Sequence, residues 1–307
     1  MPVPDPDRIV FFDGEYKRHG DVHLGLLTHA LLYGTGCFDG LRGYWNAEKE
    51  QLFLLQAPAH YERLHQSSKI LSLDCRFAVE ELVEATIELV RRNDIREDCY
   101  ARSLVFKSGE GFGVPFTEVA TSTAISLLPM GKYLDPEGGA RCKVSSWIRV
   151  PDAAIPVRAK VTGVYVNSHL AKNEAVQAGF DEAIMLDSSG HVSEGPGENL
   201  FMKRGDVWIT PPPYADILEG ITRRMLLELL PTLGWDVVER PIDRSELYIC
   251  DELLLCGTGA EITPVLDVDG RPVGTGKVGE STRAIQDLFF RIARGQDDRY
   301  ASWLTAV

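Results

Sequence analysis

Apolar and polar residues change places along this chain in short blocks, some with the period of a strand and some with that of a helix. Ile9–Phe12, a turn at Asp13-Gly14 and Glu15–Lys17 predict a strand–turn–strand opening, since Asp-Gly accepts the positive φ of a tight turn. From about Phe77 to Arg92, Val79, Leu82, Val83, Thr86, Ile87 and Val90 recur at i, i+3, i+4 and i+7 and predict a helix. Arg91 and Arg92 lie at the negative end of its dipole. Tyr100–Phe106 and Ser122–Leu128 read as buried strands. Further on, Glu182–Asp187, the turn Ser188-Ser189-Gly190 and His191–Ser193 predict a hairpin. Asn199–Lys203 and Val207–Thr210 predict a second one around Gly205-Asp206, and Leu253–Cys256 is an apolar strand. A helix from about Thr222 ends near Gly234, with Pro231 distorting its last turn, and a final helix runs from about Val278 to Arg294. The class is mixed α+β in two halves: a small N-terminal α/β domain (1–130), a polar, glycine-containing link (131–140) and a larger C-terminal domain (141–307).

Composition narrows this. A length of 307 residues fits about two domains on a prior of roughly 100–200 residues each, and 44% apolar with 25% charged residues excludes wholesale disorder. Against 32 Lys and Arg stand 45 Asp and Glu, and the net charge of −13 disfavours nucleic acid or an anionic membrane as the main partner. The six cysteines (Cys37, Cys75, Cys99, Cys142, Cys250, Cys256) lie far apart without a C-x-x-C pair, as expected of reduced, packed thiols. No internal repeat, bilayer-length apolar run or secretory signal is visible, and the expectation is a cytoplasmic protein.

Common catalytic signatures are missing. There is no H-E-x-x-H, no Cys/His metal spacing, no G-x-S-x-G and no P-loop, and Gly34, Gly36 and Gly40 miss the dinucleotide spacing. No metal is expected. Three segments stand out instead. In Ala159–Tyr165, Lys160 has small and apolar neighbours with Arg158 close by; desolvation and a nearby cation both favour the free amine that a Schiff-base lysine needs. Judged on this segment alone, a snorkelling surface lysine is the more ordinary reading. Ser193–Asn199 sets Glu194 and Glu198 among two glycines and a proline, a rigid loop able to fix a carboxylate beside a ligand, or an ordinary acidic turn. Gly220-Ile221-Thr222 opens a helix and Gly257-Thr258-Gly259-Ala260 follows an apolar strand; each is an anion cradle, or else a capped helix and a plain turn. A lysine, a fixed carboxylate and two anion cradles are the parts that pyridoxal phosphate requires.

Taken in order, these segments resemble the fold-type IV, class IV aminotransferases, and among them the branched-chain amino acid aminotransferases. The resemblance is carried by AKVTGVYVNS, SEGPGENLF, EGITRR and CGTGAEITP in the second half, and by YGTGCFDGLRGY, HYERLHQSSKI and YARSLVF in the first. It implies an N-terminal α/β sandwich and a C-terminal pseudo-barrel, with pyridoxal 5'-phosphate (or its pyridoxamine form) in the cleft between them. It implies a homodimer or higher homo-oligomer that exchanges amino groups between small amino and keto acids, L-branched-chain amino acids and 2-oxoglutarate, by ping-pong kinetics. By the same resemblance Lys160 is the Schiff-base lysine and proton shuttle, Glu194 the partner of the pyridine nitrogen and Tyr165 that of the phenolic oxygen. Arg63, Ile221, Thr222 and Thr258 are the phosphate ligands, and Asn199 lies near the cofactor. Phe38, Gly40, Tyr100, Arg102 and Tyr133 fall on substrate positions, Gly259 and Ala260 complete the carboxylate-binding turn, and Tyr33 and Arg42 are further pocket candidates. Met130, Ser103, Gly259 and the loop Gly109–Val114 depart from the usual family residues. An (R)-selective amine transaminase or a D-amino acid transaminase is therefore the nearest alternative. The D-specific Arg-x-His pair is missing between Tyr100 and Met130, and Arg102 with the Thr258 turn argues for a carboxylate substrate. A non-catalytic binder of phosphorylated metabolites is the remote alternative.

Overall fold

The computed structural model describes residues 5–131, 134, 135 and 137–307. The chain divides into two compact units. The first holds the chain up to Gly131 and also takes in Ala159–Gly163 and Arg291–Val307, which the sequence pattern assigns to the second half.

In the first unit the strands are β1 (Ile9–Phe12), β2 (Glu15–Arg18), β3 (Gly36–Asn46), β4 (Gln51–Leu55), β5 (Cys99–Lys107) and β6 (Thr121–Pro129). With the C-terminal strand Leu304–Ala306 they form one antiparallel sheet, ordered C-terminal strand–β4–β3–β5–β6–β1–β2. Successive side chains of a strand point to opposite faces. Cys37 and Leu41 of β3, with Cys99, Ala101 and Val105 of β5, share a core with helices α2 (Ala57–Ile70) and α3 (Val79–Arg92). The intervening positions, Phe38, Gly40 and Arg42 on β3 and Tyr100 and Arg102 on β5, lie on the other face. A short helix α1 (His29–Tyr33) precedes β3.

The second unit is built on β7 (Ala140–Val144), β8 (Glu182–Ile184), β9 (Asn199–Arg204), β10 (Val207–Thr210), β11 (Asp236–Glu239), β12 (Glu252–Gly257), β13 (Glu261–Val268) and β14 (Arg271–Pro272). Its sheet runs β11–β10–β9–β12–β13–β7–β8, with β14 paired to β13. The β10–β11, β13–β7 and β7–β8 pairs are parallel and the others antiparallel. Helices α4 (Tyr165–Gln177), α5 (Ile221–Thr232) and α6 (Glu280–Ala293) complete it.

The mixed helix-and-sheet class expected from the pattern holds, and so do both C-terminal helices. The first predicted hairpin is short: only Glu182–Ile184 is strand, continued by the bridge Leu186–Val192. The pattern misses α1, which has only five residues, and also α2 and α4, neither of which has an apolar stripe. Helix α4 buries Ser168, Ala171 and Ala175, residues too small to mark a face, and α2 buries His60, Arg63, Ser67 and Ser68 beside its leucine and tyrosine.

Candidate functional site

Each unit carries its own set of the expected site residues. In the first, Lys160 sits on an extended segment that backbone bonds fasten to the start of β3. Its carbonyl accepts from Phe38 N at 3.0 Å, Thr162 N donates to Gly36 O at 2.9 Å, and Ser67 Oγ accepts from Lys160 N at 3.2 Å. This fastening needs two glycines. A Cβ on Gly34, whose φ is +66°, would lie 2.9 Å from Gly163 Cα, and one on Gly163 would meet Gly34 O at 3.3 Å. The Lys160 ammonium lies 5.1 Å from the centre of the Phe38 ring. Arg158, close to it in sequence, pairs with Glu219 at 3.0 Å and Asp152 at 3.5 Å in the second unit.

Beneath this face lies a polar cluster that the sequence reading misses. Asp39 accepts from Arg63 Nε and Nη2, both at 2.8 Å, and its Oδ1 is 2.8 Å from His60 Nδ1. Burial opposes the Asp39 charge, but Arg63 and His60 outweigh it and hold the carboxyl well below its usual range. Burial lowers the pKa of His60, against the pull of Asp39, and Arg63 and Lys160 lower it further. The bidentate pair fixes the plane of the Arg63 guanidinium. Asp39 and His60 lie inside the stretches YGTGCFDGLRGY and HYERLHQSSKI, but nothing local in either pairs the two, so only the period-two alternation of β3 and the register of α2 could have brought them together.

On the substrate face, Gly40 is opposite Arg102 and Arg42 opposite Tyr100. A Cβ on Gly40 would fall 1.7 Å from Tyr100 Oη, so glycine leaves the space that the phenol occupies. The Arg102 guanidinium stacks 4.3 Å from the Phe38 ring and 5.2 Å from that of Tyr100, and its buried Nε has no hydrogen-bond partner among the described residues. A planar cation held between two rings is preorganised to receive a carboxylate. Arg42 donates to the carbonyls of Met130 and Gly131, each at 3.1 Å, and so secures the end of β6. Tyr33, half-exposed on α1, accepts from Gly113 N at 3.2 Å, which joins it to the Gly109–Val114 loop. Tyr133 lies outside the described residues.

In the second unit the centre is Glu194. Its Oε1 is 2.9 Å from Arg149 Nε, and its Oε2 accepts from Asn199 Nδ2 at 2.9 Å and Leu218 N at 3.1 Å. An ion-pair partner and two N–H donors thus brace the Glu194 carboxyl. Arg149, buried and eleven residues before Lys160, is a further residue that the motifs do not reveal. Asn199 also donates to Leu218 O, and a Cβ on Gly220 would strike its Oδ1 at 1.9 Å, so Gly220 brings the start of α5 close to Asn199. Ile221 and Thr222 are the first residues of α5, and no side chain caps it, which leaves first-turn N–H groups for an anion. Thr258, Gly259 and Ala260 form the turn between β12 and β13; a Cβ on Gly257 would lie 3.4 Å from Gly197 O, so this turn adjoins the Glu194 loop. Tyr165, half-buried, is the first residue of α4.

The donor chemistry of each unit fits part of what pyridoxal phosphate needs: an amine on a backbone-fixed segment and an oriented guanidinium in the first, a braced carboxylate and an uncapped helix start in the second. These features define a class, and comparison with known proteins names it. The family model described as amino-transferase class IV matches residues 36–268. A probable branched-chain-amino-acid aminotransferase of Aquifex aeolicus (strain VF5) is 45% identical over 298 residues, covering 97% of this chain and 96% of that protein. The structure of the branched-chain amino acid aminotransferase of Thermobaculum terrenum in its PLP form superposes with a TM-score of 0.94 at 34% identity, over 99% of each chain. The T.th. branched-chain amino acid aminotransferase complexed with N-(5'-phosphopyridoxyl)-L-glutamate gives 0.92 at 38% identity, over 97% of each chain. The chain belongs to the class IV aminotransferase family.

Proposed function

We propose that this protein is a pyridoxal-phosphate-dependent transaminase that moves the amino group of L-leucine, L-isoleucine or L-valine to 2-oxoglutarate. The observation that carries the reading is Lys160, held by its backbone to β3 beside Phe38, with its charge felt at His60. The names of the relatives and the glutamate adduct of one of them support the two substrate classes.

Bound pyridoxal phosphate supplies an electrophilic carbon for the amine and a ring that takes up electron density from the substrate Cα. The protein does the rest. Lys160 Nζ would hold the cofactor and, once the substrate amine has taken its place and freed it, would take the proton from the substrate Cα and return it during product formation. Glu194, braced by Arg149, Asn199 and Leu218, keeps the ring nitrogen protonated. Tyr165 hydrogen-bonds the phenolic oxygen. Arg63, Ile221, Thr222 and Thr258 hold the phosphate. The turn Thr258-Gly259-Ala260 receives the α-carboxylate common to both substrates. Phe38 and Tyr100 line the side-chain pocket, Gly40 gives Tyr100 its room, and Arg102 pairs with the second carboxylate of 2-oxoglutarate. Tyr33 and Arg42 border that pocket.

We also propose a homodimer. Leu26, Leu31, Phe112 and Val114 of the first unit are between 66% and 80% exposed, an apolar set with the character of a covered surface. No helix among the described residues is long and apolar enough to cross a membrane, and all six cysteines are free, which supports action in the cytoplasm. A half-reaction panel with L-leucine, L-valine, D-alanine and (R)-1-phenylethylamine, read by the cofactor's visible absorbance, tests the reading. Rapid change with the two L-amino acids alone is expected; preference for either of the others would replace the proposed substrate class.

A further inference from the structure

Three buried carboxyls, Glu182, Glu194 and Glu198, lie close together in the second unit, and they are not served alike. Glu194 has a guanidinium and two N–H donors. Glu182 has Lys172 Nζ at 2.5 Å and Ala183 N at 2.9 Å. Among the described residues, the Glu198 carboxyl is reached by one donor, Gly197 N at 3.0 Å. Two cations, Arg149 and Lys172, thus face three acids, and the one without a counter-charge is Glu198.

Its carboxyl nevertheless fills a defined slot. A Cβ on Gly195 would lie 2.6 Å from Glu198 Oε2 and 3.5 Å from Ala183 O, so the acid occupies the space where the loop turns back on β8. Gly195 N donates to Glu198 O at 2.7 Å and closes the turn. Met185 N donates to Glu194 O and Ser193 N to Met185 O, both at 2.9 Å, which fastens the loop to the continuation of β8. A neutral carboxylic acid is at home in such a slot, whereas a carboxylate there requires water or a cation.

We infer that Glu198 is a positioning residue that works as a neutral acid, latching the loop of Glu194 onto β8, and that its ionisation at alkaline pH loosens that loop. The inference rests on the proposed function for what Glu194 does, but the protonation of Glu198 stands apart from it. The groups facing Glu198 agree with the assignment. Glu182 of β8 and Glu194 of its own loop oppose a charge there, and Lys172 of α4, already bound to Glu182, only partly offsets them. The thiols of Cys142 on β7 and Cys256 on β12 are pushed up by burial and stay neutral. Arg223 of α5 is spent on Glu239. Burial, and next the charge of Glu182, push the Glu198 carboxyl up to about 8.

Glu198→Gln keeps the shape of the neutral acid and cannot ionise. Infrared spectra of the holoenzyme should contain the carbonyl stretch of a protonated carboxylic acid at neutral pH. That band should titrate away with a midpoint near 8 and be missing from Glu198→Gln. A band kept in Glu198→Gln and lost in Glu182→Gln would move the proton to Glu182, and no protonated-acid band at pH 7 would end the proposal. Turnover gives the positioning readout. If only the neutral form holds Glu194 in place, wild-type activity should fall about tenfold between pH 7 and pH 9, the change in protonated fraction for a midpoint of 8. Glu198→Gln should lose less than about twofold on the same limb. Identical alkaline limbs in both proteins would overturn the latch even if the band is present. Failure of the substrate panel with the infrared result intact would overturn the proposed function and leave the neutral acid standing.

Discussion

Replacing Gly40 by alanine puts a methyl group into space that Tyr100 already fills. The new Cβ would lie 1.7 Å from Tyr100 Oη, 2.2 Å from Cζ and 2.8 Å from Cε2. Carbon contacts are relaxed only near 3.5–4.0 Å, so the ring must retreat by about 2 Å. Tyr100 is buried and stacks against Arg102, and the antiparallel register fixes both on the face of β5 opposite Gly40 and Arg42. Overpacking of this kind costs about 1–3 kcal/mol, which lowers the melting temperature by roughly 2–12 °C for domains of this size. The displaced phenol carries Arg102 with it, and a misplacement of about 1 Å can cost 10²-fold in rate; the 2-oxoglutarate half-reaction should slow about 10–100-fold. Differential scanning fluorimetry and stopped-flow absorbance read the two effects. The double variant separates sterics from backbone effects. Glycine-to-alanine in a Tyr100→Ala background should cost far less stability, whereas Tyr100→Phe should give no relief because Cζ still collides. A Gly40→Ala protein that melts within about 1 °C of wild type and reacts at the wild-type rate would refute the reasoning. So would an undiminished penalty in the Tyr100→Ala background.

Other perturbations test the remaining parts of the site. Glu194→Gln should slow substrate Cα deprotonation by orders of magnitude with modest cofactor loss in equilibrium dialysis, while Glu198→Gln at pH 7 should not. Arg102→Ala should raise the 2-oxoglutarate KM or slow that half-reaction about 10–100-fold, matching about 1.5–3 kcal/mol for a charge-assisted bond, and change L-leucine much less. Equal losses would mean that Arg102 holds the α-carboxylate or the fold. Asp39→Asn leaves Arg63 buried without its counter-charge, so stability should drop by about 3–5 kcal/mol in denaturant titrations, with weaker cofactor affinity. The sign of the Asp39 contribution follows from its depressed titration: the stabilisation is present above the usual carboxylate range and is lost as the pH falls towards the lower folded value, and the asparagine variant should lack that acid-side loss.

Much of this was legible in the residues. The helix Val79–Arg92 announced itself because its apolar side chains follow the helical repeat, and β5 and β6 because they are long, buried and β-branched or aromatic in part. Lys160, Glu194 and the cradles at Thr222 and Thr258 stood out because each sits in a local motif. What stayed hidden depends on contacts far apart in sequence. Arg149 gains its role only through Glu194, 45 positions later, and Asp39 only through His60 and Arg63 on a helix whose buried face is partly polar. The pairing of Arg158 with Glu219, at 3.0 Å and far along the chain, is also invisible to local sequence. The return of Arg291–Val307 to the first unit likewise rests on pairs such as Arg294 with Asp98, at 2.8 Å, which no local pattern encodes.

The central claim is that Lys160 is the amine through which this chain binds pyridoxal phosphate and exchanges amino groups. Borohydride reduction of the holoenzyme, followed by proteolysis and peptide mass spectrometry, tests it most directly. The phosphopyridoxyl group should map to Lys160 alone, and pretreatment with L-leucine should release that lysine and abolish the labelling until 2-oxoglutarate restores it. A reduced adduct on another lysine, or labelling of Lys160 that L-leucine leaves untouched, would contradict the account.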